Sequence, residues 1–112
     1  MTKENLKSDF INDASAHLEA TLKGDFKTAN KLHSKLMRLY KKVKESKDES
    51  QYLGFLKDIN EGVCLWAATF LLRTHTEAAV ACLKKLSSSP SIISMDAKMI
   101  LEMWDKGELE LL

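Results

Sequence analysis

The chain has 112 residues, of which 45% are hydrophobic and 29% charged, a length and balance typical of one folded domain rather than a disordered chain. Its 17 basic and 16 acidic residues give a formal net charge of +1, without the basic excess expected of a general nucleic-acid binder. One Pro and four Gly leave few residues for the tight turns of a sheet-rich fold, so the composition predicts a mostly helical domain.

The first half of the chain predicts a long helical hairpin. Apolar residues at four-residue spacing mark the first helix: Leu6, Phe10, Ala14, Leu18 and Leu22. Gly24 suits the end of that helix and Asp25 the N-cap of the next one. One side of the second helix is apolar, with Phe26, Ala29, Leu32, Leu36, Leu39, Tyr40 and Val43. Residues 44–50 (KESKDES) are charged and predict a loop.

The second half predicts shorter helices. A short one over residues 52–59 should end at Asn60-Glu61-Gly62, and residues 63–72 (VCLWAATFLL) should form a helix buried on most sides at the centre of the core. Thr74 and Glu77 have capping-box spacing ahead of the next helix, which the residues 87–90 (SSSP) should end. The last helix is predicted from about Ser94 to Gly107, followed by the apolar tail 108–112 (ELELL).

Part of this pattern repeats. Shifted by 30 residues, the chain places six apolar residues over six others: Leu53 over Leu83, Leu56 over Leu86, Val63 over Ile93, Ala67 over Ala97, Phe70 over Ile100 and Leu71 over Leu101. Hairpins that cannot bury their apolar faces alone stack on one another. We therefore predict repeat hairpins at 51–72 and 75–107, with the longer hairpin 1–46 capping the stack. An irregular helical bundle is the alternative.

The segment 56–72 (LKDINEGVCLWAATFLL) resembles a HEAT-type repeat with a Val-x-x-x-Ala-Ala-x-x-Leu inner helix, although Cys64 stands where HEAT repeats usually have a basic residue. A wider set of residues resembles a family of small bacterial proteins known as a domain of unknown function with an α-helical superhelix: Ala29, Asn30, Leu36, Tyr40, Val63, 65–68 (LWAA), 97–99 (AKM), 102–104 (EMW) and Gly107. The resemblance implies an all-α fold of five to six helices in antiparallel hairpins, forming a short HEAT-like right-handed superhelix. By analogy with small helical-repeat proteins of bacteria, it suggests an immunity or adaptor role.

Three features of the sequence bear on the cellular compartment: the N-terminal residues, the longest uncharged stretch and the two cysteines. The N-terminal residues 1–10 (MTKENLKSDF) interleave charged and apolar residues and resemble no targeting segment. The longest uncharged stretch, 62–72, has 11 residues, whereas a helix that crosses a bilayer needs roughly 20. Cys64 and Cys82 form neither a disulfide framework nor a CxxC motif, so we expect two reduced, buried thiols. These features favour a cytoplasmic protein without a membrane anchor.

Sequence motifs for catalysis or cofactor binding are not evident. His17, His33 and His75 have no His or Cys at i+3 or i+4, the spacing that places two metal ligands on one helical face, so no metal is expected. GxSxG, Walker, GxGxxG and HExxH motifs are missing, which favours a protein that is not an enzyme and has no cofactor. His17 and His33 lie on the two arms of the first hairpin and could meet across it. The alternative is a lone His packed between helices as a hydrogen-bonded core residue.

Two surfaces are candidates for partner binding. A basic stripe on the second helix consists of Lys27, Lys31, Lys35, Arg38 and Lys42. It could be a solvated face, dock an acidic protein or follow a phosphate backbone. Trp104 lies near the open end of the last helix, where an exposed Trp beside Met103 and Leu111 would mark an interface, including a homodimer through the C-terminal hairpin. Trp66 is expected in the core.

Together these features predict a non-enzymatic helical-repeat module that binds another protein. Its alternative is a HEAT-like module that binds nucleic acid through the basic stripe.

Overall fold

The structure, a computed structural model, describes residues 3–107, with side chains from residue 6 onward, so the predicted tail 108–112 lies outside the described residues. Within them the chain forms helices and no strands, which confirms the all-α prediction. The α-helices are α1 (Lys3–Leu22), α2 (Phe26–Ser46), α3 (Glu61–Leu71), α4 (Thr76–Ser87) and α5 (Ile93–Asp105), and a 3-10 helix (Glu49–Lys57) lies between α2 and α3. No helix in this part of the chain is both long and apolar enough to cross a membrane.

The turn between α1 and α2 confirms the predicted hairpin. Gly24 has a φ of +73°, a left-handed conformation that favours glycine, and the Asp25 carboxylate accepts a hydrogen bond from the Thr28 amide at 3.2 Å. The sequence places Phe26 on the apolar side of the second helix, but this side chain is 69% exposed. Phe26 is the first residue of α2, at the tip of the hairpin, whereas the buried residues of α2 begin with Ala29.

The predicted loop over residues 44–50 is mostly helical. α2 continues to Ser46, and the 3-10 helix begins at Glu49, which is itself buried. Lys and Glu are good helix formers, so a charged run does not by itself end a helix. The helix ends at Lys47, whose φ of +57° turns the chain and whose amide donates hydrogen bonds to the Lys44 and Val43 carbonyl oxygens.

Residues 60–62 begin a helix instead of ending one. The Asn60 side chain caps α3 by accepting a hydrogen bond from the Val63 amide at 3.1 Å. Gly62 lies where α3 crosses α1, and a Cβ atom there would come within 2.7 Å of the Ala14 carbonyl oxygen. The predicted helix before this point is the 3-10 helix, which ends at Lys57.

The start of α4 also differs from the prediction, since the N-cap is His75 and not Thr74. The Thr74 hydroxyl lies 2.9 Å from Nδ1 of His75, and the Thr76 hydroxyl donates a hydrogen bond to the Leu72 carbonyl oxygen. A capping box requires its Ser or Thr at the N-cap, and here that position is one residue further along. The predicted end of α4 is confirmed at Ser87.

Helix α3 is the centre of the core, as predicted. Every residue from Gly62 to Leu71 is buried, and α1, the 3-10 helix, α4 and α5 all pack on this helix, while α2 packs on α1. An aromatic cluster joins these layers: Phe10, Tyr40, Tyr52, Phe55 and Phe70. Of the proposed repeat pairs, Ala67 and Ala97 are both buried. The stacking of repeat hairpins into a HEAT-like superhelix stays a prediction.

Candidate functional site

A cavity of about 360 Å³ opens between α1, α2, α3 and α5. We call it the histidine cavity. It is lined by His17, His33, Met37, Leu65, Trp66, Thr69, Asp96, Met99, Ile100 and Met103. Its volume is near the lower end of the roughly 300–1,000 Å³ range of small-molecule sites, and its mostly apolar lining with a few polar groups is also typical of such sites.

Two histidines and Trp66 form one wall of this cavity. The ring centroids of His17 and His33 are 6.3 Å apart, which confirms that the two arms of the first hairpin bring these side chains together. Each imidazole packs edge to face with the buried Trp66, at 5.4 Å for His17 and 5.3 Å for His33. Nε1 of Trp66 donates a long hydrogen bond of 3.5 Å to Nδ1 of His17. This bond requires an unprotonated Nδ1 and so places the proton of neutral His17 on Nε2.

Burial opposes the charged form of two side chains that line this cavity, His17 and Asp96. It lowers the pKa of His17, and the nearby His33 lowers it further, while Asp96 acts in the opposite direction. Burial likewise raises the pKa of the Asp96 carboxyl, against the influence of His17. Among the side chains described from residue 6 to 107, none forms a hydrogen bond or ion pair with Asp96. The cavity thus contains a half-buried acidic group whose electrostatic neighbour is the imidazole of His17.

Helix α5 carries an apolar surface that the fold leaves exposed. Ile92, Met95 and Met99 are 43%, 68% and 53% exposed. With Met103 they lie at i, i+3, i+7 and i+11, on one side of the helix, and we call these four residues the methionine face. Met99 and Met103 also line the histidine cavity, so the exposed face continues into it.

The residues predicted for partner binding do not lie at this site. The stripe side chains Lys27, Lys31, Lys35, Arg38 and Lys42 are all exposed on α2, but none of them lines the cavity. Nζ of Lys35 lies 3.2 Å from Oδ1 of Asp13, and a shallow cleft joins part of the stripe to Asp9 and Asp13 of α1. Trp104 is half-buried and packs against the core, outside the cavity.

The sequence analysis named Met103 as part of a candidate interface but missed Asp96, Met95 and Met99, although a signal for the methionines was present. Met95, Met99 and Met103 recur every four residues, on the side of α5 next to the predicted apolar positions. The resulting apolar arc is wider than a helix at the edge of a small bundle can bury, which indicates a surface meant for contact. Asp96 could not be recognised, because only the fold places it opposite His17.

The other potentially reactive groups have structural roles. No group of three or more His, Cys, Asp or Glu in the described residues could hold a metal ion. The Cys64 thiol donates a hydrogen bond to the Asp58 carbonyl oxygen at 2.9 Å, and burial raises the pKa of Cys82 to about 11. A thiol with such a pKa stays protonated at neutral pH and is a poor nucleophile.

Comparison with known proteins supports the fold. No family model and no curated protein matches the chain. A crystal structure of the protein RPA1889 from Rhodopseudomonas palustris CGA009 is similar, with a TM-score of 0.87 and 23% sequence identity over 98% of this chain and 93% of that one. At this identity the likeness shows that a bacterial protein has the same fold, and it carries no function across.

Proposed function

We propose that the chain is a non-enzymatic binding module that receives an amphipathic helix of another protein along the methionine face of α5. The observation that carries this proposal is the run of exposed apolar side chains, Ile92, Met95 and Met99, that continues into the histidine cavity. Isolated exposed apolar residues are normal on protein surfaces, whereas a contiguous apolar face next to a cavity is typical of an interface.

The geometry favours a helix as the docked segment. Residues 92–103 extend for about 16 Å along α5, which is three turns and matches the length of a short amphipathic helix. Methionine side chains are flexible and polarisable, so they adapt to a partner surface. The cavity at the end of the face is large enough for an anchoring side chain, the kind of contact that dominates binding energy. In the bacterial setting that the resemblance implies, such a module would act as an immunity or adaptor protein.

The proposal is tested by comparing variants in a capture experiment from bacterial cytoplasm. A double variant, Met95→Glu with Met99→Glu, introduces two charges into the methionine face. The matched control is Ile59→Glu, because Ile59 is 100% exposed and lies between the 3-10 helix and α3. We expect a protein that co-purifies with the wild type and the control and is lost from the double variant.

Two results would contradict the proposal. One is a captured protein whose recovery does not depend on the methionine face. The other is a homodimer: if the wild type elutes at twice its monomer mass and the double variant elutes as a monomer, a second copy of the chain occupies this face. Trp104→Ala then shows whether the C-terminal hairpin contributes to such a dimer, because its elution would also shift.

Nucleic-acid binding is the second candidate function. It is favoured by the exposure of all five basic side chains of the stripe along α2. A protein that contacts phosphates with several Lys or Arg loses affinity log-linearly as salt increases. We expect retention on immobilised DNA at about 50 mM salt that is weakened by Lys31→Glu with Lys35→Glu if this function holds. Lack of retention at that salt concentration would exclude it.

A further inference from the structure

The polar groups of the histidine cavity have a specific charge pattern. His17 reaches the cavity from α1, His33 from α2 and Asp96 from α5, while α3 contributes the uncharged Trp66 and Thr69. Burial and the nearby His33 disfavour the imidazolium form of His17, and Asp96 is the acidic group of the lining. A ligand in this cavity therefore experiences a negative charge surrounded by apolar and aromatic side chains.

A half-buried carboxylate without a partner is unfavourable, and a cation next to it removes most of that cost. Among the described side chains no hydrogen bond or ion pair joins Asp96 to a basic group, and the imidazole of His17 is the neighbour whose charge acts on it. The rest of the lining offers Leu65, Ile100 and the methionines, which suit a hydrocarbon or aromatic group. The acidic part of the lining thus favours a cationic group, and the apolar part favours the hydrocarbon body of the same amphipathic molecule.

We infer that the histidine cavity is a binding site for a small amphipathic cation, in which an ammonium or guanidinium group contacts Asp96 and an apolar body lies against the methionines. The cation can belong to a free amine or to a Lys or Arg side chain of the docked helix, since the recognising groups are the same. The inference stands on the cavity itself, so binding of a free amine tests it independently of the proposed docking of a partner protein.

The test uses three probes with one body and three head groups: 4-phenylbutylammonium, 4-phenylbutanol and 4-phenylbutyrate. Binding is followed by the NMR signal of the Trp66 indole N–H, which the Trp104→Phe variant assigns. We expect the ammonium probe to bind about tenfold more tightly than the alcohol, the ratio that one charge-assisted contact in a half-buried site supplies. The carboxylate probe should bind more weakly than either.

Two variants show whether Asp96 causes the preference for the ammonium probe over the alcohol probe. Asp96→Asn keeps the shape of the side chain and removes its charge, so the preference for the ammonium over the alcohol should be lost while the alcohol still binds. Asp105→Asn is the control, because Asp105 is an exposed acidic residue on the same helix and does not line the cavity. It should leave the preference unchanged.

The pH dependence provides a second readout. Protonation of His17 places a positive charge beside the bound cation, and protonation of Asp96 removes its counter-charge. The affinity for the ammonium probe should therefore increase from pH 5 to pH 7.5, and the affinity for the alcohol should change little. In Asp96→Asn this difference in pH dependence between the two probes should decrease, because only the repulsion from protonated His17 remains.

Three results would overturn the inference: equal affinities for ammonium and alcohol in the wild type, an unchanged preference in Asp96→Asn, or an unperturbed Trp66 signal at saturation. A helical peptide with an apolar stripe and one Lys, compared with its Lys→norleucine analogue, identifies the source of the cation. If the peptide binds through its Lys and the free amine also binds, both sources are accepted. If the free amine does not bind, the inference is overturned, whatever the peptide does.

Discussion

Helices α3 and α5 are both rich in apolar residues, but the fold buries them to different extents. All residues from Gly62 to Leu71 of α3 are buried, whereas α5 buries Ile93 and Ala97 and leaves Met95 and Met99 largely exposed. The cause is position, because α3 has neighbours on every side, while α5 packs mainly on α4 and α3. Apolar content sets how much surface a helix has to bury, and its place among the other helices sets how much is buried within the chain.

The largest expected effect contrasts these two kinds of apolar residue. Leu83→Ala removes a fully buried side chain of α4 and should lower the free energy of unfolding by about 3 kcal/mol. Met95→Ala on the methionine face should change it by less than about 0.5 kcal/mol, because the side chain is already mostly in water. Urea denaturation measures both values. A large loss for Met95→Ala would mean that the methionine face already packs within the free chain.

The second largest expected effect on stability concerns the close approach of α3 to α1. In Gly62→Ala the added Cβ would lie 2.7 Å from the Ala14 carbonyl oxygen and 2.8 Å from Cβ of Leu18, so the two helices must move apart. We expect a loss of about 2 kcal/mol in the free energy of unfolding. Gly54→Ala is the matched control, since a Cβ at Gly54 meets nothing within 4 Å. If both variants unfold at the same urea concentration, the close approach is not needed.

The sequence predicts a structural element correctly where one physical effect decides that element. The buried helix around Trp66 follows from continuous apolar residues, and the α1–α2 turn follows from Gly24 and Asp25. The prediction failed at Gly62, because a glycine has the same appearance in a sequence whether it ends a helix or allows a second helix to approach closely. Only the position of Ala14 distinguishes the two roles.

The candidate site was predicted less well than the fold. The meeting of His17 and His33 follows from their places on two arms of one hairpin, which is local information. Asp96 joins them from a helix that begins 76 residues after His17, and its environment is set by burial and by the neighbouring His17. Polar residues of this kind are usually solvated, so a sequence pattern gives no reason to single one out.

A smaller effect separates packing from hydrogen bonding in the aromatic cluster. The Tyr40 hydroxyl is buried and has no hydrogen-bond partner among the described residues, while its ring packs on Phe70 with centroids 5.1 Å apart. Tyr40→Phe keeps the ring and removes the unsatisfied group. The free energy of unfolding should stay constant or increase by up to about 1 kcal/mol. A decrease of that size, measured by urea denaturation, would show that the hydroxyl has a stabilising partner.

The smallest expected effect is the pH dependence at the wall of the histidine cavity, and its sign follows from the pKa of His17. Because the folded state lowers this pKa below its usual 6.5, the unfolded state binds the proton first as the pH falls. The contribution of His17 to the free energy of unfolding is therefore fully present above pH 6.5 and decreases toward the lower pKa of the folded state. The contribution of Asp96 to the free energy of unfolding has the opposite pH dependence. Because the folded state raises its pKa above 3.8, this contribution decreases as the pH increases through the raised pKa.

The two groups can be separated by comparing variants at several pH values. His17→Asn should remove the part of the pH dependence that lies just below pH 6.5, whereas His75→Asn, at the start of α4 and outside the cavity, should retain it. The measurement is the urea midpoint from pH 5 to pH 7.5. If His17→Asn retains the full wild-type dependence, burial against Trp66 does not control protonation in the cavity. The cavity would then accept a charged imidazole as readily as water does.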